Sequence, residues 1–267
     1  MALGAGPSLM LIREAHILLW GVVAILAAVA FALAGQALVA RFVPMHLRVA
    51  DNTALGTIYA ALYVLYGLSL AFCLFFVGSS YREAETTTNS EADTVADLYQ
   101  LANKFPEPER HQMQDLSRSY AQVVVEEEWP LLGQGSASRG SPHAQALADE
   151  LVETVEDFEP TSSTQEQALT LVQSLDDYRE LRLLESHQGI PTMLWIVLLV
   201  GGAMTISFTF FFGVEGAWLH RASVSALTVL VVLILYTIYR VEYPFTGHVQ
   251  VGPAEFEAAL HSMKGEP

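Results

Sequence analysis

Residues 54–77 read ALGTIYAALYVLYGLSLAFCLFFV, and residues 81–104, YREAETTTNSEADTVADLYQLANK, follow three positions later. The first stretch carries no charge and exceeds the roughly 20 apolar residues that cross a hydrocarbon core, so it predicts a transmembrane helix. The second keeps helical periodicity through Ala92, Val95, Ala96, Leu98 and Tyr99 until Pro106 stops it. Together they predict one long rod that leaves the bilayer and enters water.

Three further windows have the same character. Residues 17–39 contain only Gln36 as a strongly polar side chain, and residues 192–212 begin just after Pro191, with Trp195 as an interfacial anchor. Residues 222–239 are shorter and end on Tyr236 and Tyr239, followed by Arg240, a pattern that suits the headgroup belt. The run after Arg13 is too long for the core of a signal peptide and reads as a retained helix. The fold class predicted is therefore all-α: four transmembrane helices in two hairpins, joined by connections at 40–53 and 213–221. The predicted domains are a first hairpin within 1–80, a soluble helical domain over 81–188, a second hairpin over 189–240, and a C-terminal turn and short helix over 241–267.

The chain is 52% apolar and only 16% charged, below the quarter or so typical of soluble domains. Its net charge is −16, which excludes a nucleic-acid partner held through phosphates. Nearly all of that excess lies in residues 81–188, where 22 acids face 7 bases. This segment predicts four helices, over 81–104, 107–132, 143–158 and from 161–164 onward, with a Gly/Ser/Pro loop at 133–142. The third turns Ala146, Leu147, Leu151, Val155 and Phe158 inward. Leu169, Val172, Leu175, Tyr178, Leu181 and Leu184 are the apolar side expected of the fourth. Arg13, Arg82, Arg179, Arg182 and Arg240 flank spans on one side of the membrane, against Arg41, Arg48 and Arg221 on the other. That imbalance predicts a plasma-membrane protein with its acidic domain and termini in the cytoplasm.

Catalytic and nucleotide signatures are missing, and the eight histidines form no helical pair, so an enzyme is not expected and no cofactor or metal is implied. A single cysteine, Cys73, excludes an internal disulfide. The acids Glu126, Glu127 and Glu128 before Trp129 offer hard oxygen ligands to a divalent cation, or else form a solvated helix face closed by a packed Trp. Stepping by four along the second span, Leu68, Phe72, Phe76 and Ser80 share a helix face that changes from apolar to hydroxylated at the membrane boundary. Several copies around an axis would stack those residues into a constriction that gates by dewetting. The same spacing also describes a stripe facing lipid or a neighbouring helix. After the last span, Glu242, Pro244, Phe245 and Gly247 form a Pro-Phe turn before an amphipathic segment with Phe256, Leu260 and Met263, which suggests a docking element on the acidic helices or on an adjacent subunit.

The segment 68–76 (LSLAFCLFF), Glu91-Ala92 with Leu98-Tyr99, the Glu128-Trp129 pair and residues 242–247 (EYPFTG) are where the chain resembles the bestrophin-like domain family of bacterial membrane proteins, over about residues 10–262. Bestrophins are pentameric anion channels whose second helix lines a narrow hydrophobic neck. The resemblance implies a homo-oligomer, pentameric, passing an inorganic ion through a neck of Leu68, Phe72 and Phe76, with residues 242–247 in place of a Pro-Phe-Gly element near a calcium clasp. Here Thr246 separates Phe245 from Gly247 and His248 replaces the acidic run, which argues against calcium gating. An ion channel, anion-selective by resemblance, is therefore one expected function, although the acidic domain would draw cations. A non-conducting sensor or scaffold that binds a partner through its acidic helices is the other, favoured by spans without Asp, Glu, Lys, Arg or His.

Overall fold

The computed structural model describes residues 7–45, 48, 52–135, 140–157, 163–214, 216–246 and 249–264. All regular elements among them are helical: α1 (Pro7–Phe42), α2 (Asn52–Leu101), α3 (Glu109–Val123), α4 (Trp129–Gly133), α5 (Pro142–Glu156), α6 (Ser163–Glu185), α7 (Thr192–Phe208), α8 (Ala217–Val241) and α9 (Ala254–Met263). A π-helical turn, Val124–Glu128, joins α3 to α4. Gly247, His248 and Phe158 and the centre of the loop at 133–142 lie outside the described residues. The chain divides into two compact units, Met1–Val77 with Ile190–Arg240, and Gly78–Gly189 with Val241–Pro267. Four helices are long and apolar enough to span a membrane.

In the first unit, aromatic rings seat on glycines. The Tyr66 ring lies over Gly201 and Gly202 of α7, and its hydroxyl donates to the Leu198 carbonyl at 3.0 Å. Tyr236 covers Gly21, and Phe210 covers Gly35. Lipid tails are as apolar as leucine, so burial does not drive helix association in a bilayer; close approach over small residues and an interhelical hydrogen bond do. The Asn52 side chain exchanges two hydrogen bonds with the Gly213 backbone, at 2.7 and 3.0 Å, fixing the start of α2 to the turn before α8.

The helix that carries the fourth apolar stretch runs Ala217–Val241, beyond 222–239 at both ends, and takes in His220, Arg221 and Arg240. His220 is buried, and its Nε2 meets the Thr209 carbonyl at 2.9 Å. That carbonyl gives the imidazole a polar partner in an apolar setting, which lets the helix begin a turn and a half earlier than hydropathy alone indicates.

The second unit has its core where α2, α3, α5, α6 and α9 meet, around Val95, Leu98, Met113, Tyr120, Leu151 and Leu175. Ser141 caps α5, its hydroxyl accepting from the amides of His143 and Ala144, and Pro142 occupies the first turn, where its missing N–H costs nothing. The last part of α6 turns the other way from expectation. Leu181 and Leu184 are 44% and 55% exposed, whereas Arg179 and Arg182 are buried. The inward row runs Ala168, Val172, Leu175, Arg179, Arg182 at alternating steps of four and three, so arginines occupy the positions that leucines would normally fill.

Candidate functional site

One side of α2 is buried along most of its length. Leu70, Val77, Ala84, Glu91 and Leu98, spaced by seven, are all buried, the first two in one unit and the last three in the other. A seven-residue repeat drifts by only about 20° per step round an α-helix, so successive members of the row lie nearly above one another. On the other side stand Leu68 (52% exposed), Phe72 (65%) and Phe76 (52%). Ser80 departs from them. Steps of four drift by about 40° each, so Ser80 lies about 120° round from Leu68, and it is half-buried. Ser79 is exposed instead.

Among the described residues the largest fully buried side chain is that of Arg182. Its Nε donates to Glu91 Oε2 at 2.5 Å, while its Nη2 donates to Glu91 Oε1 at 2.9 Å and to Glu128 Oε1 at 2.6 Å. Tyr120 donates its hydroxyl to Glu91 Oε1 at 2.6 Å. The guanidinium stands 5.3 Å from the centre of the Trp129 ring and 6.0 Å from that of Phe256. Arg179 donates Nη2 to the second oxygen of Glu128 at 2.9 Å, and the Ser141 amide donates to that same oxygen at 2.6 Å. Burial alone would raise the pKa of Glu128; Arg182 and Arg179 beside it, with the Ser141 amide, outweigh burial and hold it below the ordinary carboxylate range. Burial, then the Glu91 carboxylate, pushes the Tyr120 hydroxyl well up.

Two backbone features make room for this cluster. In the π-helical turn Glu126 and Glu127 stay exposed while Glu128 points inward. An extra residue in a helical turn re-aims the side chains after it, a device frequent at functional positions. Gly140 has φ +68°, and a Cβ there would stand 2.6 Å from Arg179 Nη2 and 2.7 Å from Glu128 Oε2.

The three acids suggested as cation ligands do not converge. Glu126 accepts from Gln122, Glu127 pairs with Ser141 and His143, and Glu128 is consumed by the two arginines. Among the described residues no group of His, Cys, Asp or Glu could hold a metal ion. Nor is Glu128 part of a solvated face. Arg179 and Arg182, named above among bases flanking a span, are neutralised inside the fold by Glu128 and Glu91, which leaves Arg13, Arg82 and Arg240 against Arg41, Arg48 and Arg221.

The C-terminal turn closes on the same place. Phe245 and Phe256 pack against Trp129, with ring centres 5.9 and 5.8 Å away, and Trp129 Nε1 donates to the Val251 carbonyl at 3.3 Å. The turn is held by Val251 N donating to the Pro244 carbonyl at 2.8 Å, and Glu242 is buried beside it in sequence. Pro244, Phe245 and Trp129 are thus brought together with the charge cluster, while Leu68, Phe72 and Phe76 lie in the other unit. Sequence reasoning places Arg179 and Arg182 among the bases near a span end and misses their role in the interior, although the alternation of four and three from Val172 and Leu175 lands on both.

These features define an all-helical membrane protein whose second span continues as a rod into an extramembrane helical unit. The bestrophin-like domain model matches residues 19–256, and the chain belongs to that family. Among solved structures, a bacterial bestrophin homologue from Klebsiella pneumoniae, in a single-site variant, aligns with a TM-score of 0.68 at 13% identity, covering 91% of this chain and 99% of that one. A second structure of the Klebsiella homologue gives 0.67 at 12% identity, with the same coverage. A crystal structure titled only as a membrane protein variant gives 0.68 at 12%, again covering 91% and 99%. At these identities the likeness is one of fold. No curated protein matches the chain.

Proposed function

We propose that the protein is an oligomeric ion channel of the plasma membrane, with α2 of each copy facing a common axis and Leu68, Phe72 and Phe76 forming its hydrophobic neck. The observation that carries this reading is the sidedness of α2: the seam opposite these residues is buried within the chain, and this apolar face is left without a partner. Family membership supports it. Apolar rings need no charged group to control flow, because a narrow hydrophobic constriction empties of water unless widened. Anion passage follows from the bestrophin resemblance, and cation passage from the acidic unit. We place that unit and both termini in the cytoplasm, on the family likeness.

The test is planar-bilayer recording of purified, reconstituted protein under a KCl gradient, beside the Phe72→Ala/Phe76→Ala double variant. Currents enlarged by the double substitution support the neck, and the reversal potential identifies the ion. Silence from folded oligomer across voltage and calcium concentration would instead support a partner-binding scaffold.

A further inference from the structure

We infer that the membrane unit holds a binding site for a long-chain fatty acid, in a pocket walled by the start of α2, the end of α7 and the start of α8. The inference is independent of the neck reading and concerns another face of α2.

The pocket has a volume of about 430 Å³, and every residue that lines it belongs to the first unit. Phe212, Val224 and Leu227 give it apolar walls. Gly56 keeps it open, since a Cβ there would meet only Phe212, at 3.9 Å. At 100° per residue, Gly56 and Tyr59 lie about 160° and 140° round α2 from Phe72, so an occupant would sit across the helix from the neck face. Leu219, 58% exposed, stands at the rim, where the surroundings of a spanning helix are acyl chains. An apolar cavity stays free of water, and one of about 150 Å³ holds a benzene molecule. This pocket therefore has room for roughly three times as much carbon, about eighteen atoms, which is one long chain and more than a single side chain from a second copy would fill.

The polar groups on the wall select the head of that chain. Two hydroxyls are spent within their own segments: Thr209 donates to the Ile206 carbonyl and Ser223 to the Leu219 carbonyl. His220 has used one nitrogen. Its Nε2 meets the Thr209 carbonyl, and a carbonyl only accepts, so Nε2 carries the proton and Nδ1 is left as an acceptor. The Tyr59 ring is held edge-on by Phe212, 5.4 Å between centres, while its hydroxyl makes no hydrogen bond among the described residues. One hydroxyl and one bare acceptor thus remain in an apolar wall, where unpaired polar groups are costly and an ionisable side chain marks a functional position. A carboxylic acid answers both. Its carbonyl oxygen accepts from Tyr59 and its O–H donates to His220 Nδ1; if that proton passes to the ring, the product is a carboxylate beside an imidazolium. An ester has no proton to give. A phosphodiester has none either, and it brings a fixed charge to a pocket lined by no Lys or Arg. His220 stands in the first turn of α8 and Leu227 seven residues, about 10 Å, further into the span, so head and tail have separate places.

The experiment photolabels the full chain in phosphatidylcholine nanodiscs with palmitic acid carrying a diazirine on its chain, and maps the label by mass spectrometry of peptides. Expected is label near Tyr59 and over residues 212–227, displaced by palmitic acid and not by methyl palmitate, which keeps the chain and loses the proton. Tyr59→Phe should weaken displacement by palmitic acid about five-fold, the worth of one hydrogen bond. Ser223→Trp, which fills the pocket, should abolish the site's label in protein that keeps the parent's Tm; Leu227→Phe serves where that variant fails to fold. Equal displacement by methyl palmitate would mean that the pocket reads only a chain and would overturn the inference. So would label unchanged by Tyr59→Phe and by the filling variants. Protection by phosphatidylglycerol added to the nanodisc would make the occupant a phospholipid, and absence of label from the oligomer would make it a second copy; either result overturns the fatty-acid assignment. None of these outcomes depends on conduction, so the neck stands or falls separately.

Discussion

At the scale of single residues, the second unit depends on balancing charges that water cannot reach. Replacing Arg182 by Met would leave Glu91 with the Tyr120 hydroxyl and Glu128 with Arg179 and the Ser141 amide, and breaking a buried pair in this way costs about 3–5 kcal/mol. Thermal unfolding in detergent should show that loss, and a Tm unchanged from the parent would mean that the acids find other partners. Glu185 behaves oppositely to Glu128. Burial, then the nearby Glu83, raises its pKa, against the Thr87 hydroxyl that donates to it at 3.0 Å and the attraction of Arg182. A carboxyl whose folded pKa is raised binds its proton more tightly folded than unfolded, so its contribution to stability is fully present below the ordinary carboxylate value and is lost as pH rises through the raised one. Glu185→Gln should therefore be more stable than the parent near pH 7, with the difference closing as pH falls toward 4.5. Tm measured against pH for the two proteins decides this, and parallel curves would refute it.

At the scale of elements, hydropathy and periodicity made much of the architecture legible. The residues at 54–77 and 81–104 announce α2, and the Gly/Ser/Pro loop at 133–142 announces the helix that follows as α5, because both signals are local. What stayed hidden depended on partners distant in sequence. Leu181 and Leu184 look like core on hydrophobicity alone, yet Glu91 and Glu128 draw Arg179 and Arg182 inward and turn the leucines out. The rotation of Glu128 away from Glu126 and Glu127 needs a π-helical turn, and nothing in the run of acids signals one. Trp129 joins α4 to the C-terminal turn and α9, so Trp129→Ala should cost about 3–5 kcal/mol through the cavity it leaves. It should also make residues 242–263 sensitive to protease; protection equal to the parent's would show that Phe245 and Phe256 are held by other contacts. In the membrane unit, the Tyr66 ring over Gly202 leaves no room for a side chain, since a Cβ there would stand 2.7 Å from the Tyr66 hydroxyl oxygen. Gly202→Leu should push α7 from α2 and lower the Tm of the solubilised protein, whereas Gly67→Ala, which meets open space, should not.

At the scale of the whole molecule, charge and resemblance pull the permeating ion in opposite directions, and salt separates them. Residues 81–188 carry 22 acids against 7 bases, and the structure removes Arg179 and Arg182 from the bases free to attract an anion by pairing them in the interior. The field outside that unit is strongly negative. If several copies gather around the neck, their combined potential enriches cations at its mouth, over a distance set by the Debye length: about 30 Å at 0.01 M salt, about 8 Å at 0.15 M and about 3 Å at 1 M. The neck proposed from Leu68, Phe72 and Phe76 carries no charged side chain and adds no preference by charge. Selectivity generated this way is a property of the solution as much as of the protein. Where the acidic surface sets selectivity, the expected outcome is a reversal potential near the cation limit in dilute KCl gradients that moves toward zero as both sides are raised to about 1 M. An anion-directed reversal potential that survives dilution would instead place selectivity in close contacts within the neck, as the bestrophin resemblance implies, and would make the acidic surface irrelevant to permeation.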